Sequence, residues 1–297
     1  MEDILKKYGW NLSSEEINAA AAGYEKRVDE YINDNVLSRA LGFIDLTTLH
    51  TQDTQSHVRA FVEKVNGFKA SFPSYPLPAS ICVYPNFGST VKRTLSAEAS
   101  ESVHVTCVAG CFPTSQSWSD VKALEALHAV EQGADEIDIV LAVGEFLEGN
   151  LERVYNEISL IRRSIDSTPK GKVLLKVILE TGALASVENI ARASFVAMEA
   201  GADFIKTSTG KMEPSATPQA AVTMCNCIRL FHSFSGKRVG FKPAGGISTS
   251  KGAALYSLIV KDILGDEWLT PSLFRIGASS LANNLLTDLE RRSVKYF

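Results

Sequence analysis

Nothing in the chain reads as a membrane span, because no run of about 18 apolar residues occurs. The opening Met-Glu-Asp-Ile-Leu-Lys-Lys lacks the apolar centre of a secretory signal. Basic charge is not in excess. The 30 Lys and Arg against 34 Asp and Glu leave a net charge of -4, so neither nucleic acid nor an anionic membrane is expected as a partner. Cysteine is sparse and odd in number: Cys82, Cys107, Cys111, Cys225 and Cys227. The C-x3-C and C-x-C spacings carry no histidine pattern, which argues against zinc and for reduced thiols in a cytoplasmic protein. His50, His57, His104, His128 and His232 show no metal-ligand spacing either, so no metal is expected. His128 and His232 fall on presumed outer helices and are expected to be solvated. Two phosphate fingerprints are also missing. No G-x-G-x-x-G follows the first apolar run, and no G-x-x-x-x-G-K-[ST] occurs anywhere.

What is present is ordinary globular composition, 45% hydrophobic and 22% charged, in 297 residues. That length permits one large domain or two small ones. Residues 1–40 are polar and helix-forming. Ser13-Ser-Glu-Glu-Ile17 has the form of a capping box, and a helical extension is expected there. From 41 to 297, short apolar runs alternate with amphipathic segments. The runs are 42–46, 80–84, 103–108, 136–141, 173–179, 203–207, 239–242 and 273–276. Their centres are roughly 30 residues apart, the size of a βαβ unit. The segments 121–132, 151–165, 187–200, 218–233, 252–264 and 281–292 read as the helices between and after them. Eight such units predict an α/β fold, a (β/α)8 TIM barrel, over 41–297. An open doubly wound sheet is the alternative, disfavoured by the missing glycine fingerprint. Phe72-Pro-Ser-Tyr-Pro-Leu-Pro78 reads as a proline-broken loop inside this domain. Gly133-Ala-Asp-Glu-Ile137 and Gly201-Ala-Asp-Phe-Ile205 form a weak internal repeat that leads from a helix into a strand.

The strands carry charges where a barrel interior normally holds Val, Ile and Leu. Asp45, Asp138, Lys176, Lys206 and Lys242 all fall inside apolar runs. Lys206 alternates with Phe204 and Ser208 on one face, while Ile205 and Thr207 take the other. A lysine in a buried strand is either paired with a carboxylate or chemically used. If the lysines converge, their repulsion favours keeping at least one neutral near pH 7, as an amine nucleophile requires. Lys206 is the candidate. Asp138, mid-strand, is the candidate acid and base, and Asp45 is the second carboxylate. Cys82, in the second run, either lines the site or is a small buried hydrophobe.

Three late loops are rich in small residues: Ser208-Thr-Gly-Lys211, Ala244-Gly-Gly-Ile-Ser248 and Gly277-Ala-Ser-Ser280. Glycine lets backbone N–H groups approach an anion, and a helix N-terminus favours one. Two of these loops follow the seventh and eighth runs, where barrel phosphate sites are commonly built. Plain turn chemistry is the other reading of any one of them. The set, with Lys211 as a cation, points to a phosphate-bearing substrate.

Phe204-Ile-Lys-Thr-Ser-Thr-Gly-Lys211, Gly240-Phe-Lys-Pro-Ala-Gly-Gly246, Leu175-Lys-Val-Ile-Leu-Glu-Thr-Gly182 and Asp135-Glu-Ile-Asp-Ile-Val140 together resemble the deoxyribose-phosphate aldolases. Ile44-Asp-Leu-Thr47, Ile81-Cys-Val-Tyr-Pro85 and Gly277-Ala-Ser-Ser-Leu281 match in the same order, over roughly 40–290. The resemblance implies a class I aldolase with no cofactor, acting on a small phosphorylated sugar. It would cleave 2-deoxy-D-ribose 5-phosphate reversibly to acetaldehyde and D-glyceraldehyde 3-phosphate, in deoxyribonucleotide catabolism. By the same resemblance Lys206 is the Schiff-base lysine and Lys242 lowers its pKa. Asp138 is then the acid/base acting through water, and Lys176 a relay lysine. Asp45, Thr47, Cys82 and Thr207 are implied around the substrate, and Gly210, Lys211, Gly245, Gly246, Ser279 and Ser280 around its phosphate. The chain departs from some members at Ser248, where they carry arginine, and at Tyr296, one place from the end rather than last. A Schiff-base aldolase for a phosphorylated keto acid and a phosphate-binding protein without catalysis remain as alternatives. Helix faces cannot be ranked from sequence, which leaves a homo-oligomer open.

Overall fold

The structure, a computed structural model, describes residues 3–297. Met1 and Glu2, the start of the expected extension, lie outside the described residues. Eight parallel strands make one sheet: β1 (Ile44–Thr47), β2 (Ser80–Val83), β3 (His104–Val108), β4 (Glu136–Val140), β5 (Leu174–Ile178), β6 (Phe204–Lys206), β7 (Gly240–Lys242) and β8 (Ile276–Ala278). Their order is β7-β6-β5-β4-β3-β2-β1-β8. Parallel bridges Phe241–Phe274 and Ala244–Gly277 join the two remaining edges, so the sheet closes into the expected (β/α)8 barrel.

Long helices fall where the amphipathic segments predict them: Ser119–Glu131, Leu151–Asp166, Val187–Glu199, Pro218–Ser235, Ser250–Leu264 and Leu281–Glu290. Their starts are written in side-chain chemistry. Ser186, Thr217 and Thr249 each accept a backbone N–H of the first turn, and Pro218 stands where no donor is lost. Among the described residues no helix is long and apolar enough to cross a membrane.

The eighth strand differs from its expected place, 273–276. Leu273 and Phe274 draw the apolar run early, but this segment bonds to β7: Phe241 N–H donates to Leu273 O and Arg275 N–H to Phe241 O. The ladder with β1 begins only at Ile276, whose N–H donates to Phe43 O, and it runs through Gly277 and Ala278.

The internal repeat has a job. Asp135 accepts the backbone N–H of Val105, and Asp203 accepts that of Leu175, each at 2.9 Å. Both aspartates stand at a strand entrance and tie it to the preceding strand. Each is ringed by cations, Lys92 and Lys170 in one case, Arg162 and Lys172 in the other.

The N-terminal helices Ile4–Lys7, Ser14–Tyr31 and Asp34–Leu41 lie along the outer helices. The capping box at Ser13 and Glu16 is formed. Ile4, Leu5, Ile17 and Ala21 belong to the main core, and Tyr8 stacks on Phe195 at 4.5 Å between ring centroids. Arg27 pairs with Asp262 at 2.8 Å. The last of these helices leads directly into β1.

Strand alternation sorts the barrel residues. Ile44, Leu46, Ile81, Val83, Val105, Ile137, Ile139, Leu175, Val177, Ile205 and Phe241 point outward into the helix layer and are buried. The inward positions are mostly polar. At the lower end Phe204 fills the barrel, and Gly240 opposite makes room, since a Cβ there would lie 2.3 Å from the Phe204 ring.

Candidate active site

Seven ionisable side chains meet inside the barrel. Asp138 on β4 is the hub. Its Oδ2 accepts from Lys206 and from Lys242, each at 2.8 Å, and its Oδ1 accepts from Lys176 at 2.9 Å. Asp45 on β1 lies 2.5 Å from Lys242 and accepts from Arg275 at 2.6 Å. Glu136, one inward position before Asp138, accepts from Lys176 at 2.5 Å and from Arg275 at 2.6 Å. Its other neighbours are the hydroxyl of Thr106, which donates at 2.8 Å, and Nδ1 of His104, 2.6 Å away. All seven are buried. Such charges persist in a barrel only because each finds a partner.

The partners split the protonation behaviour. Burial pushes Asp138 up, but Lys176, Lys206 and Lys242 together outweigh it and hold the carboxyl well below its usual range. Burial likewise opposes ionisation of Asp45, yet Lys242, Arg275 and Lys176 bring it to about 2. Glu136 is held low in the same way by Lys176 and Arg275. For Lys176 and Lys242, burial is outweighed by Asp138 and the other carboxylates, and both are pushed up. Lys206 goes the other way. Burial lowers its pKa and Lys242 adds to that, against the pull of Asp138. Of the three lysines it has a single carboxylate partner, so desolvation wins.

Lys206 also faces open space. A cavity of about 330 Å³ opens at the C-terminal ends of the strands, lined by Lys206, Thr47, His50, Lys211, the Gly245–Gly246 turn and Ser279–Ser280 among others. That volume is within the range of small-molecule sites. Among the described residues no carboxylate lines it.

The expected site residues separate into layers. Thr47, Lys206, Gly210, Lys211, Gly245, Gly246, Ser279 and Ser280 line the cavity, as does Ser248. Asp138, Lys242, Lys176 and Asp45 lie behind Lys206. Cys82 packs with Leu49 and Val108 beside Tyr84 and Phe112, and burial raises its thiol pKa, which keeps it a neutral wall. Thr207 is not in the lining. Its hydroxyl accepts from Ala244 N–H at 3.0 Å and donates to Ala244 O, tying β6 to the Gly245–Gly246 turn. Lys211 reaches across the cavity mouth and donates to Leu49 O at 2.6 Å. Tyr296 lies outside the lining too: its hydroxyl donates to Lys64 O at 2.8 Å, and its ring packs on Phe68 and Phe72.

Residues outside the expected set complete the site. Glu136, Arg275 and His104 extend the charge network, and His50 joins the lining. Glu180 is held at φ 55°, a strained conformation for a non-glycine residue, and accepts from both Thr209 N–H and its hydroxyl. It fixes the loop that carries Gly210 and Lys211. Gly245 (φ +87°) packs against that loop, and a Cβ there would meet Ser215 at 2.6 Å.

Fold and cavity define a barrel enzyme of the (β/α)8 type, with its site at the C-terminal face of the strands. The chain belongs to the DeoC/LacD family aldolases, whose family model matches residues 39–281. It is 41% identical to a putative deoxyribose-phosphate aldolase of Caenorhabditis elegans over 96% of this chain and 91% of that one. It is 43% identical to the deoxyribose-phosphate aldolase of Mus musculus, over 86% and 80%. Among solved structures, a putative deoxyribose-phosphate aldolase from Toxoplasma gondii superposes with a TM-score of 0.71 at 25% identity, covering 87% of this chain and 97% of the other.

Proposed function

We propose that this aldolase cleaves 2-deoxy-D-ribose 5-phosphate reversibly to acetaldehyde and D-glyceraldehyde 3-phosphate through an imine on Lys206, and serves deoxyribonucleotide catabolism. The observation that carries the reading is the buried Lys206 amine, lowered in pKa and facing the cavity while Asp138 holds it from behind. The amine adds to C1 of the open-chain sugar and water leaves, giving a protonated imine. The C3 hydroxyl loses its proton, the C2–C3 bond breaks, and its electron pair moves to C2 as an enamine. Glyceraldehyde 3-phosphate departs, its aldehyde formed from the carbon that was C3 of the sugar. The enamine takes a proton at C2, and water releases acetaldehyde and restores the lysine. Asp138 does not line the cavity, so in this scheme it moves protons through a water. Reduction with borohydride in the presence of acetaldehyde should add two carbons to the peptide carrying Lys206. Labelling confined to Lys176 or Lys242, or none, would end the proposal.

The phosphate falls to the rim in this reading. Gly245 and Gly246 both have positive φ, and helix Leu281–Glu290 starts at Ser280 without a side-chain cap, leaving its first N–H groups to an anion. Gly246→Val places a β-branched residue at φ +75°. The expected outcome is a KM for deoxyribose 5-phosphate raised about tenfold, roughly 1.4 kcal/mol, with much less change for free deoxyribose. Equal losses for both sugars would show that the turn does not read phosphate.

A further inference from the structure

The barrel interior is balanced in charge only when Lys206 is neutral. Three carboxylates, Asp45, Glu136 and Asp138, face three cations, Lys176, Lys242 and Arg275. Lys206 is the fourth, and a proton on it would be surplus. Arg275 lies outside the cavity lining. It is buried, donates to Asp45 and Glu136, and its guanidinium lies 5.8 Å from the ring of Phe204, the inward residue before Lys206.

We propose that Arg275 is a positioning residue that keeps Lys206 neutral by completing this balance through Asp45 and Glu136. The inference takes its catalytic meaning from the imine reading of Lys206. Six strands besides β6 contribute to the field. Asp138 from β4, Lys242 from β7 and Cys82 from β2 surround Lys206. Asp45 from β1 and Glu136 from β4 hold Arg275, and Lys176 from β5 touches all three carboxylates. His104 from β3 closes the far end against Glu136, its side chain 45% exposed. Without the Arg275 charge the carboxylates exceed the fixed cations by one, and a proton on Lys206 restores neutrality. Without the Glu136 charge the cations exceed by one, and Lys206 loses its proton more readily. The two changes therefore act in opposite directions.

The test uses the full chain and the variants Arg275→Met, Glu136→Gln and the double variant. The pH dependence of Lys206 acylation by acetic anhydride, mapped by mass spectrometry, reports the ionisation of that amine directly. Arg275→Met should move the midpoint alkaline by roughly one pH unit, the scale of one charge on the order of 10 Å away at an effective dielectric near 20. Glu136→Gln should move it to acid pH, and the double variant should return it close to wild type. Midpoints that stay fixed, or that shift in the same direction, overturn the proposal. If Arg275→Met does not fold, the acid shift of Glu136→Gln alone decides. Borohydride trapping of acetaldehyde on the wild type runs beside it. Shifted midpoints without trapping would keep the charge balance and remove the imine reading; trapping with fixed midpoints would do the reverse.

Discussion

Lys206→Ala is expected to abolish turnover, by about ten-thousand-fold or more, the scale of loss when a nucleophile is deleted from a preorganised site. No other group can replace it. Lys176 and Lys242 are each pinned between carboxylates that raise their pKa, and Lys211 sits at the rim with its amine on Leu49 O. The fold should survive. Asp138 keeps Lys176 and Lys242 as partners, and the truncation opens space toward an existing cavity. Circular dichroism and steady-state cleavage of deoxyribose 5-phosphate measure the two halves of this expectation. Turnover within tenfold of wild type, in a folded variant, would remove Lys206 from the reaction.

Lys242→Leu should shift the pH dependence of imine formation alkaline by more than one unit. Two effects share that sign. The variant removes a cation that shares Asp138 Oδ2 with Lys206, and it leaves Asp138 and Asp45 with fewer counter-charges, so the Lys206 proton is held more tightly. Each unit costs about tenfold in neutral amine at pH 7, with the loss recovered as pH rises. Stability should fall as well, by about 3–5 kcal/mol, because a buried ion cluster has lost one member. Rates of trapping at pH 7 and 9.5 separate the cases. An equal loss at both, with an unmoved profile, would make Lys242 a proton-relay or spatial element and leave burial alone to account for Lys206. From sequence, repulsion by Lys242 is the leading cause of a reactive Lys206. In the structure burial lowers the Lys206 pKa and Lys242 adds to it against Asp138, while Lys242 is itself paired with Asp45 and Asp138.

The barrel is legible in the sequence because its units are local. An apolar run of four to seven residues followed by a capped amphipathic helix needs no partner to be recognised. Its closure is less so. Leu273 and Phe274 look like a strand, while Gly277 and Ala278, poor strand formers, complete the ladder because β1 offers bonds there. Lysines and aspartates in apolar runs stand out, which is why Lys206, Asp138, Lys242, Lys176 and Asp45 can be picked from the chain. Glu136 and Arg275 do not stand out. Glu136 opens its run, where a charge is unremarked, and Arg275 lies inside a short run whose partners are far off in sequence, the link between Arg275 and Asp45 spanning 230 residues. Thr207 and Lys211 are conspicuous in their motif, yet what they touch, Ala244 and Leu49, are backbone groups of distant loops that no side-chain pattern encodes.

Arg275 comes from the segment that joins the last edge of the sheet to the first, bonded on one side to Phe241 and followed by the ladder with β1. An open seven-stranded sheet would hold all three lysines, Asp138 and Glu136 in their present register. It would still lack the guanidinium between Asp45 and Glu136, and its surplus of negative charge would keep Lys206 protonated. On the proposed charge balance, a neutral Lys206 amine is a property of the complete circuit and would be lost with a break in the ring of strands.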